Sequence, residues 1–294
     1  MALSSSLITK WSQRGDPIHA WYSYEMIRES LTAAKLDGMS YAIYPQGSYA
    51  NKTNIVGDSD VDIVIALKSA FYPNKDELKE SDLIEYQKYY EQADIAWHAF
   101  RGAVVEVLQS NYQVDEGDKC VKVKSNLIRL PADVLIALEY RHYKNFPSFM
   151  GQVFIDGVQF YSLEGGKIVN FPKRHIRACR AKNNRTGRRY RRVVRVAKNA
   201  RNALIADGDT QVKTGTVPSY FLESLLWNVP DSCYGGDLEY AYSRAMDWLY
   251  QNIGELEALS FPSGMGKIFD RMADTSWNVS AAQGIISALY LQSR

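Results

Sequence analysis

The spacing of hydrophobic positions changes several times along the chain, and each change marks an element. From His19 to about Leu36, Trp21, Met26, Ile27, Leu31 and Ala34 recur at near-helical intervals, and Gly38 suits a helix end. The run YAIYP, Tyr41 to Pro45, predicts a short strand stopped by its proline. DVDIVIAL, Asp60 to Leu67, predicts a second strand apolar enough to lie centrally in a sheet. Residues 81 to 109 read as one long helix, with Ile84, Tyr86, Tyr89, Tyr90, Ala93, Trp97 and Phe100 mostly on one side. CVKVKSNLIRL and ADVLIALEY, beginning at Cys120 and Ala132, are further strand candidates, and VQFYSLEGGKIVNF predicts a hairpin turning at Gly165-Gly166. After Pro172 the pattern becomes helical. The expectation is an α/β (α+β) front half with a mixed sheet over residues 1–171, and a helical lobe over 172–294.

Composition changes this picture little. With 294 residues, 46% of them hydrophobic, the chain can bury a sizeable core as one large domain or two packed lobes. The net charge is only +2, so any affinity for anions must be local. Cys120, Cys179 and Cys233 lie far apart without CxxC spacing, which reads as a reduced, cytoplasmic protein. No apolar run approaches a signal peptide or a membrane span.

Charge distribution is more informative. Asp60 and Asp62, two apart on a strand, project to the same face. Two carboxylates that close repel, and a hard divalent cation such as Mg²⁺ removes the conflict. Asp133 again heads an apolar strand, so neighbouring strands could bring three carboxylates to one sheet edge and hold two metal ions. A bare Asp-x-Asp is also an ordinary solvated turn or a lone Ca²⁺ loop. Gly47-Ser48 follows a strand; such a pair can cradle a phosphate through backbone N–H groups and a hydroxyl, or simply form a turn or cap.

Between Lys173 and Arg201 lie thirteen Lys or Arg and no acid. This segment could grip nucleic acid phosphates, surround the polyphosphates of small nucleotides, or present a solvated basic face. Val193, Val194, Val196, Ala197, Ala200 and Leu204 supply a buried stripe, and Lys198 could reach inward to a triphosphate. Ser219 either caps the next helix or touches a ligand, and Tyr220 either stacks on a base or packs in the core. His19, His98, His142 and His175 form no metal-ligand spacing; His175 reads as structural, or as shaping a pocket.

Taken together, GSY…DSDVDIVI…ADVLIAL resembles the active-site signature of DNA-polymerase-β-like nucleotidyltransferases. VNFPKRHIRACRAKNNRTGRRYRRVVRVAKNARN and PSYFLESLLWN are similar to segments of the bacterial cGAS/DncV-like nucleotidyltransferases (CD-NTases) of CBASS anti-phage systems, most of all the CdnE clade. The resemblance implies a polymerase-β-like core with a C-terminal helical lobe. It implies a monomer that uses Mg²⁺ or Mn²⁺, two ions, to join NTPs, UTP and ATP foremost, into a cyclic dinucleotide read by a separate effector. Asp60, Asp62 and Asp133 match the metal-binding triad. Gly47 and Ser48 match the phosphate-contacting pair, Lys198 and Ser219 positions that hold the donor triphosphate, and Tyr220 the base-stacking aromatic. Asn170 matches an asparagine linked in that clade to uracil recognition, an amide being able to pair with the uracil edge. Lys182 and Asn183 belong to a motif without an assigned role. No zinc-ribbon insert like that of the animal DNA sensor is present, so activation by double-stranded DNA is not expected. The rival expectations are a nucleotidyltransferase acting on RNA or tRNA and an inactive nucleotide-binding module.

Overall fold

In the computed structural model, residues 3–57, 60–90, 97–209, 212, 217–270 and 277–294 are described. The chain divides into two compact units: Ile18–Gln46 with Asp60–Lys173, and Met1–Pro17 with Gly47–Ser59 and Arg174–Arg294.

The first unit is built on a seven-stranded mixed sheet. Strand β1 (Tyr41–Pro45) pairs antiparallel with β2 (Val61–Asn74), and β2 pairs parallel with β5 (Ala132–Asn145). At its start β5 also pairs with β4 (Val121–Val123), which carries β3 (Val114–Glu116); further along it pairs with β6 (Val153–Tyr161), which carries β7 (Lys167–Asn170). The continuous apolar runs explain the centre. Ile63 to Leu67 and Val134 to Leu138 are buried throughout, as a parallel pair covered on both faces requires.

Helix α2 (Pro17–Ala33) buries Ala20, Ser23, Ile27 and Leu31. The Ser23 hydroxyl, itself donating to His19 O, accepts from Leu130 N at 2.8 Å. A later helix, Trp97–Asn111, packs Trp97, Phe100, Val104 and Leu108 inward. Its Trp97 indole N–H donates to Ile136 O at 2.8 Å, in the stretch of β5 between its pairings with β4 and β6.

Two sequence expectations need correction here. Residues 81 to 109 are not one helix. Helix α4 (Glu80–Gln87) ends before Tyr89 and Tyr90, and α5 is the separate helix Trp97–Asn111; Ala93 lies outside the described residues. The tyrosines leave the helical stripe for an aromatic cluster: Tyr90 packs on Phe71, Tyr86 and Phe146, and Tyr89 on Phe146 and Phe149. The candidate strand from Cys120 to Leu130 stops at Val123. Beyond it Leu127 is fully exposed and Ile128 half-exposed, so their apolar character reflects no ladder.

The second unit is helical. Its core joins α7 (Arg189–Ala206), α8 (Ser219–Asn228), α9 (Leu238–Gln251) and α10 (Val279–Gln292), through Val193, Ala197, Phe221, Leu225, Tyr242, Met246 and Ile285. Ser4, Asp237 and Asn278 cap α1 (Ser5–Trp11), α9 and α10 by accepting from backbone N–H groups. The stripe expected on α7 is buried as predicted.

The cations of α7 draw the earlier segments into this unit. Arg195 donates to Ser12 O and Lys52 O, both at 2.6 Å, and Lys198 Nζ donates to Thr53 O at 3.2 Å. Asn199 Nδ2 donates to Trp11 O at 3.0 Å. A carbonyl pointed at a buried cation answers both groups' need for a partner, which is why Arg195 and Lys198 can be 9% and 1% exposed. Burial first, then repulsion from Arg192, Arg14 and Arg191, pulls Arg195 down to about 10, still charged at neutral pH.

Candidate active site

In the sheet unit, register decides the geometry. Asp62 on β2 stands directly opposite Asp133 on β5 in the parallel ladder. Neighbouring strands are about 4.8 Å apart, so the two carboxylates leave the sheet side by side. Asp60 precedes the first residue of β2 and is exposed, while Asp62 and Asp133 are half-buried. The mouth is pinned by backbone: Val61 N donates to Pro131 O and Gln46 N to Asp62 O, each at 2.9 Å.

A neighbouring thiol senses the resulting field. Cys120 is pushed up to about 12, by burial first, then by the charge and a hydrogen bond of Asp133; Lys122 opposes this and Asp62 adds to it. Lys122 faces Asp133 from β4. Two adjacent carboxylates under a negative potential, with a third just upstream, are hard donors that suit Mg²⁺ or Mn²⁺.

Asn170 ends β7, exposed, opposite Val158 of β6. Its backbone is backed closely by Gly157: a Cβ there would lie 2.9 Å from Asn170 O and from the Phe171 ring. Phe171 is held edge-on against Tyr140, ring centroids 5.9 Å apart.

In the helical unit, Gly47 and Ser48 open the short helix α3 (Gly47–Asn51). Gly47 has φ +63, a left-handed conformation that glycine adopts without steric cost. Ser48 O accepts from Thr53 N at 2.8 Å, and Thr53 O accepts from Lys198, so Ser48, Thr53 and Lys198 form one hydrogen-bonded series. Ser219 is not the cap. Pro218, extended at ψ 160, holds that position, and α8 therefore starts with Ser219, whose hydroxyl lies 3.4 Å from Arg201 Nη1. Arg201 is fixed by donating to Val217 O.

Tyr220 is 41% exposed, and its ring stacks on His175 at 4.6 Å and packs against Phe261 and Trp277. The motif residues Lys182 and Asn183 are structural. Lys182 Nζ donates to Val229 O at 2.6 Å and to Asp231 at 2.9 Å, and Asn183 Oδ1 accepts from Arg191 N. His175 and Cys179 share a face of α6 (Pro172–Arg185) with spacing i, i+4 and meet Glu223 of α8. The three ligating atoms lie within 4.8 Å of one another. The sequence reading missed this trio because its third member sits on a distant helix.

A mixed sheet with a central parallel pair that carries acids at its mouth, together with a helical unit, defines a polymerase-β-like nucleotidyltransferase. Known proteins narrow the class. The family model "cGAS/DncV-like nucleotidyltransferase C-terminal helical domain" matches residues 177–292. A cyclic UMP-AMP synthase of Rhodothermus marinus (strain SG0.5JP17-172) is 34% identical over 96% of this chain and 95% of its own length. A cyclic dipurine nucleotide synthase of Elizabethkingia meningoseptica is also 34% identical, over 66% of this chain and 65% of that protein. The solved structure of Rhodothermus marinus CdnE c-UMP-AMP synthase with Apcpp and Upnpp has a TM-score of 0.86 and 32% identity, covering 98% of this chain and 95% of that one. The chain belongs to the cGAS/DncV-like nucleotidyltransferases, in the group of CdnE cyclic nucleotide synthases. Among the described residues no helix is long and apolar enough to cross a membrane.

Proposed function

We propose that the protein joins two NTPs into a cyclic dinucleotide containing uridine, cyclic UMP-AMP or cyclic di-UMP, as a second messenger of CBASS antiviral defence. The observation that carries this reading is the register that sets Asp62 beside Asp133 at the mouth of the central strands, with Asp60 just upstream. Asp60, Asp62 and Asp133 hold Mg²⁺. When bound, the metal lowers the pKa of an acceptor ribose hydroxyl and neutralises charge on the donor triphosphate. The ribose oxygen bonds to the donor α-phosphorus, the bond to the β-phosphate bridge breaks, and pyrophosphate leaves with that electron pair. A second transfer within the linear intermediate closes the ring.

Gly47, Ser48, Lys198 and Ser219 contact the donor triphosphate. The half-exposed Tyr220 stacks on a base, and Asn170 pairs with the uracil edge. The residues' work is positioning and charge neutralisation, which dominate phosphoryl transfer. The uridine assignment is supported by Asn170 and by the likeness to a synthase named for UMP and AMP. The dipurine synthase is equally identical, over 66% of this chain, so overall likeness does not by itself fix the base, and the assignment leans on Asn170.

The test is incubation of the pure protein with four NTPs and Mg²⁺, without polymer, followed by mass spectrometry. A cyclic uridine-containing dinucleotide is expected. Product that forms only when RNA is added would overturn the reading, and a purely purine ring would overturn the role of Asn170.

A further inference from the structure

Away from the carboxylates of the sheet unit, the helical unit holds a second group of potential ligands. His175, Cys179 and Glu223 are 3%, 0% and 4% exposed. Nε2 of His175 lies 3.5 Å from Cys179 Sγ and 3.8 Å from Glu223 Oε2. Metal–ligand lengths for zinc at a tetrahedral angle imply separations of about 3.5 Å between nitrogen and sulfur and about 3.4 Å between nitrogen and oxygen. The sulfur spacing agrees, and the oxygen needs a shift of a few tenths of an ångström, within rotamer adjustment.

The polar accounting points the same way. Glu223 Oε1 and His175 Nδ1 are buried without a hydrogen-bond partner. An unanswered buried carboxylate oxygen is costly, and a cation held by both Glu223 oxygens answers Oε1; one bound to His175 Nε2 leaves Nδ1 as it is. The surroundings are ordered for a ligand set. The Tyr190 hydroxyl is 3.4 Å from Sγ and is fixed by donating to Glu223 O at 3.0 Å. The stacked ring of Tyr220 fixes the plane of the imidazole, a task that a hydrogen bond from the second ring nitrogen commonly performs.

We propose that His175, Cys179 and Glu223 bind one Zn²⁺ in the helical unit, with water as the fourth ligand. Imidazole, thiolate and carboxylate together select a borderline-soft cation rather than Mg²⁺. Binding displaces the thiol proton to solvent, so thiolate and carboxylate balance the two charges of the ion. The site joins α6 to α8 and borders Tyr220 through the stacked His175 ring, and its test reads metal binding rather than turnover.

The test uses the full chain, stripped by chelator and titrated with Co²⁺ as a spectroscopic stand-in. The expected result is a thiolate-to-cobalt charge-transfer band saturating at one equivalent and abolished by one equivalent of Zn²⁺. The band persists in Cys120→Ser and disappears in Cys179→Ser. Glu223→Gln keeps the band and weakens Co²⁺ affinity at least about tenfold. This variant keeps the test decisive if Cys179→Ser does not fold. Absence of the band, its loss in Cys120→Ser, or unchanged affinity in Glu223→Gln would each overturn the proposal; the second would place the cobalt beside Asp133 instead.

Discussion

Gly157 offers a test of whether the end of β7 selects the base. The glycine lies in β6 with the Phe171 ring and the Asn170 carbonyl pressed against its α-carbon. A methyl group added there would meet Asn170 O and two Phe171 ring carbons at 2.9 Å. Comfortable contacts between such atoms are about 3.5 Å or more, so Gly157→Ala demands a displacement of roughly 0.6 Å. The ring cannot simply swing clear, because Tyr140 stands against it, and Asn170 O belongs to the backbone of a paired strand. Overpacking of this kind costs about 1–3 kcal/mol, which for a chain of this size lowers the melting temperature by roughly 3–10 °C. The displaced strand end carries the amide proposed to pair with uracil. A loss of about 1 kcal/mol in that pairing lowers UTP use about fivefold relative to ATP. Differential scanning fluorimetry reads the first effect, and mass spectrometry of products from equimolar UTP and ATP reads the second. An unchanged melting temperature would refute the packing argument, and a lowered one with an unchanged UTP-to-ATP ratio would refute the role given to Asn170.

Two further substitutions separate chemistry from stability. Asp62→Asn is expected to reduce cyclic product to background while leaving the melting temperature in chelator within about 2 °C of wild type, because the substitution keeps the side chain's size at a half-buried position and relieves a like charge opposite Asp133. Product near the wild-type level would remove the metal from the mechanism. Asp231 accepts from Lys182 at 2.9 Å and Arg185 at 2.6 Å. Partial burial pushes this carboxyl up, but the two hydrogen bonds outweigh burial and hold it below its ordinary 3.8. A value lowered by folding stabilises the protein above the unfolded value and stops doing so as pH falls through the folded one. Asp231→Asn therefore costs about 1 kcal/mol at pH 7, allowing for exposure, and the difference from wild type in urea midpoint vanishes as pH drops below about 4. A difference independent of pH would refute the pairing.

The period-two and continuous apolar runs made the sheet legible. YAIYP, DVDIVIAL and ADVLIALEY are β1, the start of β2 and the start of β5, and the Gly165-Gly166 hairpin joins β6 to β7. What the sequence could not supply was register. Asp-x-Asp fixes one face of one strand, but only the parallel pairing of Asp62 with Asp133 makes two distant acids neighbours. The errors have local causes. A tyrosine-rich stripe looks helical whether its rings cover a helix face or, as Tyr89 and Tyr90 do, turn to an aromatic cluster. Ser219 carries every mark of a cap, yet the extended backbone of Pro218 moves the helix start by one residue.

The basic segment was the hardest to read, because charge counted along a chain says nothing about where it is spent. Of its thirteen cations, Arg174, Lys182, Arg195, Lys198 and Arg201 donate to the backbone carbonyls of Ser263, Val229, Ser12, Lys52, Thr53 and Val217. Four of the five, all but Arg174, are buried. Lys182 and Arg195, desolvated and engaged with backbone carbonyls, cannot release counterions from a polyanion. Of the other eight, Lys173, Arg177, Arg180, Arg185 and Arg188 are exposed and Arg189, Arg191 and Arg192 are half-buried. Lys173 and Arg185 are further paired with Asp156 and Asp231. A cationic spine along α7 accounts for Met1–Pro17 and Gly47–Ser59 belonging to the helical unit. Composition left nucleic acid, nucleotide polyphosphate and a solvated face as readings of this segment; the hydrogen bonds show a device for holding Ser48 and Thr53 to Lys198.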